Sequence, residues 1–275
     1  MTILVTGATG TVGRHVTELL VEKGAAVRAL SRNPVKARNK LPQGVSIVAG
    51  DLMKPESLRE ALQGAEAMFL IVSSDEPEAD LNTDPGVVKL AEAAGIKRVV
   101  VLVGYEEGAA EQTLQASGMH WTLVKPAEFM ANALSDWQQT IRTEGVVREF
   151  HGAALSAKVH EGDIAAVAVA ALLEDGHHRQ SYMLTGPEAI TRRQSVEAIA
   201  AAIGKPVPFI ELSEAEARQQ WRSQGYDEES VDFFVQMAIQ PPEAGYTVLP
   251  TIEQVLGRPA RTFAEWAAEH KREFL

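Results

Sequence analysis

The sequence predicts an α/β protein, a doubly wound parallel sheet followed by a smaller, mostly helical C-terminal part. Three observations predict it. A short apolar run, Ile3-Leu4-Val5, leads through Gly7, Gly10 and Gly13 into an amphipathic segment with Val16, Leu19 and Leu20 on one side. β-type and helical patterns then alternate from residue 2 to about 126, as in a sheet whose crossovers are helices. Arg98–Val103 is nearly all valine and leucine, the composition of a central parallel strand buried on both faces.

After the glycine turn and its helix, Ala26–Leu30 reads as the second strand, followed by a basic, turn-rich stretch through Ser31, Arg32, Asn33 and Pro34. Val45–Ala49 is the third strand and ends at Gly50-Asp51. A helix over Pro55–Leu62 precedes Ala67–Val72, the fourth. Asp84–Ala94 is helical, with Pro85 near its start and Gly95 past its end. Arg98–Val103 is followed by a helix at Ala109–Ser117 and a sixth strand, Trp121–Val124, closed by Lys125-Pro126. Beyond that the alternation loosens. Helical patterns at Glu128–Thr143, Ile164–Glu174 and Arg193–Ile203 are separated by short strands at Ser181–Leu184 and Val207–Ile210. From Ser213, which with Glu216 fits a capping box, the chain is mostly helical. Pro241-Pro242 and Pro250 break it before a last helix near Thr262–Lys271. Residues 1–126 are therefore expected to form the sheet domain. Residues 127–275 are expected to form a smaller part on its carboxyl edge, with a soft boundary because no Gly/Ser linker marks it.

The 275 residues suffice for a full core, and 45% hydrophobic with 23% charged residues is ordinary for a globular protein. A net charge of −11, from 26 basic and 37 acidic residues, argues against non-specific nucleic-acid or anionic-membrane binding. Zero cysteines exclude disulfides, thiol catalysis and cysteine–metal sites. No run approaches the ~18 apolar residues of a membrane span. With the N-terminus entering a strand at once, the expected location is the cytoplasm. The seven histidines show no helical i, i+4 pair, so no metal site is expected. No G-x-S-x-G is present to support serine-hydrolase chemistry.

The glycine turn carries the chemistry. A strand–turn–helix of this kind aims backbone N–H groups and the positive helix end at a pyrophosphate. One glycine makes the tight turn, one admits the phosphates and one lets helix and strand pack closely. Gly7, Thr9, Gly10, Thr11, Val12 and Gly13 are therefore the expected cradle of a dinucleotide, in a Rossmann-type sheet. Cofactor choice is read at the tip of the second strand, where a carboxylate would repel a 2′-phosphate. Here stand Ser31 and Arg32, donors suited to that phosphate, so NADP(H) is expected in preference to NAD(H). Asp51 and Leu52 are placed to meet the adenine, or form a turn cap. Ile71, Val72 and Ser73 flank the ribose and nicotinamide, or simply end a strand.

Taken together, GATGTVG at the start, Ser31-Arg32 and Gly50-Asp51-Leu52 resemble the NmrA-like group of atypical short-chain dehydrogenases/reductases. So do the run from Ala116 to Pro126 with Phe129-Met130-Ala131-Asn132, and Gly162-Asp163-Ile164-Ala165. Tyr182-Met183-Leu184-Thr185-Gly186-Pro187 and the ending from Gly257 to Phe263 complete a likeness over essentially the whole chain. The resemblance implies an NAD(P)-binding fold and, for some members, reduction of quinones, dyes or plant phenylpropanoids. Other members bind the dinucleotide without turning it over. Ordinary short-chain dehydrogenases carry Tyr-x-x-x-Lys. Here Tyr105 is followed four residues on by Ala109, so the lysine is missing.

Two readings follow. In one, the protein is an NAD(P)H-dependent reductase of a small apolar acceptor such as a quinone, enone or imine. Tyr105 and Lys125 would be its catalytic candidates, Phe129, Met130, Asn132 and Trp137 its acceptor wall, and Trp221, Phe233 and Phe234 a lid. In the other it is a dinucleotide-responsive binding protein without turnover. Neither reading has a nucleic-acid contact, and oligomeric state is not readable.

Overall fold

A computed structural model of the chain describes residues 1–72, 83–104 and 107–275. Ser73 and Tyr105, both singled out by the sequence, lie outside the described residues. In chain order the elements begin β1 (Thr2–Val5), α1 (Thr11–Glu22), β2 (Ala26–Ser31), α2 (Pro34–Arg38) and β3 (Ser46–Ala49). A 3-10 turn at Pro55–Leu58 opens α3 (Arg59–Leu62), followed by β4 (Ala67–Ile71), α4 (Gly86–Ala93), β5 (Arg98–Leu102), α5 (Ala109–Gln115) and β6 (His120–Pro126). Then come α6 (Asn132–Glu144), β7 (Val147–Phe150), β8 (Leu155–Ser156), α7 (Glu161–Leu173), β9 (Gln180–Leu184), β10 (Ile190–Thr191) and α8 (Arg192–Ile203). The last are β11 (Phe209–Leu212), α9 (Glu214–Ser223), α10 (Glu228–Ile239), α11 (Thr251–Leu256) and α12 (Phe263–Glu269), with a closing 3-10 turn at Lys271–Phe274.

The chain divides into two units. The first comprises Met1–Pro126, Glu161–Leu184 and Gln254–Gly257, and the second Ala127–His160, Thr185–Glu253 and Arg258–Leu275. In the first unit a seven-stranded sheet runs β3-β2-β1-β4-β5-β6-β9, every neighbouring pair parallel. Leu4, Met68, Leu70, Val99, Val101 and Leu123 face a core shared with Leu58, Leu62, Val88, Ala91 and Leu114 from the helices. The alternate residues Ile3, Val5, Phe69, Val100 and Val124 are buried as well, as the two-residue strand period requires. A sheet covered on both faces explains the unbroken apolar runs.

The sequence predicted six strands here, and the structure has seven. The strand read at Ser181–Leu184 and assigned to the C-terminal part is β9, which pairs with β6 in register Val124 to Tyr182. Its delivery depends on α7, which from Ile164 onward is apolar on all sides and so is suited to burial all round. That helix packs on α1 and on β4, β5 and β6. Thr122 Oγ1 donates to the His177 carbonyl at 2.7 Å and so fixes the entry into β9.

In the second unit, β7 pairs with β11 in parallel and β8 with β10 antiparallel. Met130, Ala133, Trp137 and Ile141 share a core with Val196, Ile199, Phe263 and Trp266. The helix expected from Glu128 begins only at Asn132. Val159 N donates to the Glu128 carbonyl at 2.8 Å and Met130 N to the Val159 carbonyl at 3.0 Å, so residues 128–130 are held against residue 159. Strands β8 and β10, two residues each, are too short to leave a periodic signal, and β7 escaped the reading as well. The stretch after Arg32, read as turns, contains the one-turn helix α2, with proline at its start and the Asn33 side chain accepting from Lys36 N. Among the described residues no helix is long and apolar enough to cross a membrane, and no group of three histidines or carboxylates could hold a metal.

One side chain ties the strands at which the sheet reverses its order. Thr6, fully buried just after β1, donates through Oγ1 to the Phe69 carbonyl at 3.1 Å and accepts from Ile71 N at 2.9 Å. Thr6→Val keeps the shape and removes both bonds, leaving the Ile71 N–H without that acceptor. It should lower stability by about 1–3 kcal/mol, read as a lower urea midpoint with an unchanged slope. An unchanged midpoint would show that the bridge adds nothing to the β1–β4 join.

Candidate active site

The turn between β1 and α1 is shaped by its glycines. Gly7 has φ of +60°, and a Cβ there would also lie 2.7 Å from Ile71 Cδ1. Gly13, in the first turn of α1, faces back onto the turn, and a Cβ would fall on the Gly7 carbonyl. Helix and strand therefore meet at a separation that only glycine permits. Gly10 differs. Its φ of −84° and ψ of −178° suit any residue, and a Cβ would meet only the Gly7 carbonyl oxygen, at 3.3 Å.

What Gly10 lacks is a cap. It stands at the N-cap of α1 and offers no side-chain acceptor. Asn33, Thr191, Ser213, Asp227 and Thr262 cap α2, α8, α9, α10 and α12 with theirs. Gly10 N donates to the Gly7 carbonyl at 2.9 Å, and the helix ladder opens with Arg14 N to the Gly10 carbonyl at 3.1 Å. An uncapped first turn and the positive helix end suit an anion. The residues present fit a diphosphate. Thr9 and Thr11 are half-buried beside it, and Val12 is buried.

The other residues predicted for the cofactor lie at the carboxyl ends of neighbouring strands, where ligands bind in open parallel sheets. Ser31 ends β2, and its Oγ accepts from Asn33 N at 3.1 Å. Arg32, next along, is exposed. Asp51 follows β3. Its Oδ1 accepts from Met53 N at 3.0 Å, and its own N–H donates to Ser57 Oγ at 2.9 Å. Leu52 is packed in the sheet core. Ile71 and Val72, half-buried, end β4, and Thr83 Oγ1 donates to the Ile71 carbonyl at 2.9 Å.

Lys125, near the end of β6, forms an ion pair with Glu107 beyond β5. Gln115 Nε2 donates to the other Glu107 oxygen at 2.7 Å. The hydrogen bond from Lys125 is the main cause that holds the Glu107 carboxyl below its ordinary range; burial opposes it, and Gln115 and the Lys125 charge add to the lowering. The sequence reading singled out Lys125 but missed this pairing. The signal was available, because β5 and β6 are parallel neighbours and the residues leaving their ends come together.

Of the residues predicted to wall an acceptor, Phe129 and Asn132 are half-buried. Met130 and Trp137 belong to the core of the second unit. Of the expected lid residues, Trp221, Phe234 and Tyr226 form an aromatic chain with ring centres 5.5 and 5.0 Å apart, and Phe233 is 44% exposed. Charged groups that the sequence reading did not single out surround Trp137. Its Nε1 donates to Glu149 at 3.3 Å, and the Lys158 ammonium lies 6.0 Å from its ring centre. Lys158 is ion-paired with Glu128. Burial works against the Glu128 charge, but Lys158, Ser156 and Arg192 outweigh it and hold that carboxyl below its ordinary range.

Residues 7–107 match the NAD(P)H-binding family. The chain is 40% identical over 286 residues to the (4-alkanoyl-5-oxo-2,5-dihydrofuran-3-yl)methyl phosphate reductase of Streptomyces griseus, covering 99% of each. It is 36% identical over 285 residues to the NAD(P)H azoreductase of Xenophilus azovorans, again covering 99% of each. Among solved structures it resembles the NADPH-dependent quinone oxidoreductase of Escherichia coli complexed with NADPH. That likeness has a TM-score of 0.79 at 29% identity and covers 97% of this chain and 99% of the other. These similarities give the binding-only reading no support. The chain is an NAD(P)H-dependent oxidoreductase and belongs to the NmrA-like family of atypical short-chain dehydrogenases/reductases.

Proposed function

We propose that the protein transfers hydride from NADPH to a small conjugated acceptor of the quinone, enone or imine class, and that it works without the tyrosine–lysine pair of ordinary short-chain dehydrogenases. The observation that carries this reading is the uncapped, glycine-lined start of α1 in a chain 40% identical throughout to a reductase. The named relatives act on an unsaturated furanone and on azo compounds, and the structural neighbour on quinones. Conjugation is what these acceptors share.

The bound nicotinamide supplies the hydride. The chain's own residues bind, orient and exclude water. Gly7, Thr9, Gly10, Thr11, Val12 and Gly13 hold the pyrophosphate through backbone donors. Ser31 and the guanidinium of Arg32 take the 2′-phosphate, which makes NADP(H) the preferred cofactor. Asp51 and Leu52 border the adenine, and Ile71, Val72 and Ser73 border the ribose and nicotinamide. Lys125, held by Glu107, and Tyr105 position the acceptor. Tyr105 carries a phenol, a possible general acid, and with Lys125 is the catalytic candidate. Phe129 and Asn132 wall the acceptor, with Met130 and Trp137 supporting them from the core.

Two substitutions test the cofactor assignment. Gly10→Asp should fold with a melting temperature at or above wild type, because Asp is a favoured N-cap at that backbone conformation. It should nevertheless abolish dinucleotide binding in calorimetry, since its carboxylate takes the place meant for the pyrophosphate. Retained NADPH affinity in the folded variant would remove the pyrophosphate from this turn. Arg32→Glu should weaken NADPH far more than NADH. Charge-assisted contacts of this kind contribute about 1.5–3 kcal/mol, so the preference should shift tenfold or more. Equal losses for both cofactors would mean that Arg32 only supports its loop.

A further inference from the structure

Lys125 reaches the carboxyl edge of the sheet already paired. Glu107, Gln115 and Lys125 all belong to the first unit. One oxygen of Glu107 takes the Lys125 ammonium, and the other accepts from Gln115 Nε2, at the end of α5, at 2.7 Å. The backbone beside Glu107 is fixed as well. Gly108 N donates to Glu111 Oε2 at 3.0 Å, and Glu111 is 2% exposed. Glu107 is thus held through its side chain and through the next peptide. The bond from Lys125 keeps its carboxyl below the ordinary range, so it is anionic at neutral pH. An ammonium has three N–H donors. Among the described residues only Glu107 takes one of them, and the Lys125 side chain keeps 32% of its surface exposed. The free donors are therefore within reach of a ligand. Their place on the sheet suits an acceptor. Ile71 is in register with Leu102, and Leu102 with Val124, so Lys125 stands one residue past the level of Ile71 and two strands across. Two strand spacings are roughly 10 Å, the reach of a fused-ring acceptor beside a nicotinamide at the end of β4.

The pairing decides what such an acceptor can be. A lone ammonium at this place would draw any anion. A paired one offers hydrogen-bond donors, while the neighbouring carboxylate cancels most of its field. A neutral carbonyl oxygen then finds donors without repulsion. A carboxylate or sulfonate finds the same donors but also meets the negative charge of Glu107. We propose that Glu107 is a positioning residue that sets specificity: it cancels the charge of Lys125 and leaves its donors free, and so selects acceptors that are uncharged where they meet Lys125. The proposal rests on the reductase reading given above and on the place that reading gives Lys125. Glu107 acts through Lys125, and Gln115 keeps it from turning away.

The test measures kcat/KM under saturating NADPH for an uncharged naphthoquinone and for the same ring carrying a sulfonate beside its carbonyl. The ratio of sulfonated to uncharged is compared among variants, so that the intrinsic reactivity of each quinone cancels. Glu107→Gln keeps the shape and removes the charge, and should raise the ratio about tenfold or more. Concentrated salt should shrink that rise, since the pair is partly exposed. Lys125→Met leaves Glu107 without its counter-charge and should lower the ratio below wild type. The double variant should return it towards the wild-type value, because both charges are gone. Calorimetry with NADPH and a melting curve check that each variant is folded. Lys125→Met reads the same pair from its other side if Glu107→Gln does not fold. Equal losses on both quinones in Glu107→Gln, with the ratio unchanged, would make Glu107 a purely structural residue. That result, or a ratio in Lys125→Met at or above wild type, would overturn the proposal while leaving the reductase intact. NADPH that binds to wild type but is oxidised by neither quinone, nor by any enone or azo dye, would overturn the reductase reading and this inference with it.

Discussion

The structure depends on one close approach, that of the first turn of α1 to the carbonyl of Gly7. No side chain fits between them at Gly13, so α1 starts at Thr11 close against the turn that follows β1. Gly10 then leaves the helix start without a cap, in a chain that caps five other helices with side chains. A helix start of this kind suits an anion, which is the place the proposed reading gives to the pyrophosphate.

The remaining parts of the first unit follow from that placement. The sheet reverses its order between β1 and β4, which are joined beyond their ladder by Thr6. The crevice of such a reversal is where dinucleotides bind in open parallel sheets. The ends of β2, β3 and β4 place Ser31, Asp51 and Ile71 along the same edge. The ends of β5 and β6 bring Glu107 and Lys125 together. The central strands β1, β4 and β5 are buried on both faces and support this edge. The buried helix α7, apolar from Ile164 onward, lets a strand from late in the chain extend the sheet.

The glycine turn was legible in the sequence because Gly7 and Gly13 each answer a backbone requirement, and the central strands because burial on both faces leaves unbroken apolar runs. The role of β9 was not legible. Gln180–Leu184 looks like any half-polar edge strand, and only its pairing with β6 says which sheet it joins. The start of α6 was misread because residues 128–131 carry a helical pattern while their backbone pairs with residue 159. Local propensity yielded there to a tertiary contact. The charged groups around Trp137 were invisible for a related reason. Glu128, Glu149, Lys158 and Arg192 are spread over 65 residues of sequence, with no spacing that marks them as neighbours. Lys125 was noticed from its position, but its partner was not.

In the proposed reading, positioned residues rather than a tyrosine–lysine pair organise hydride transfer. The most direct measurement follows the hydride itself. NADPH carrying deuterium at the transferring position of the nicotinamide is mixed with enzyme and an enone, and the product is examined by mass spectrometry and NMR. The account predicts one deuterium bound to carbon in each molecule of reduced product, with stoichiometric formation of NADP. NADPH that binds but stays unoxidised, or product whose new carbon-bound hydrogen comes only from solvent, would contradict it.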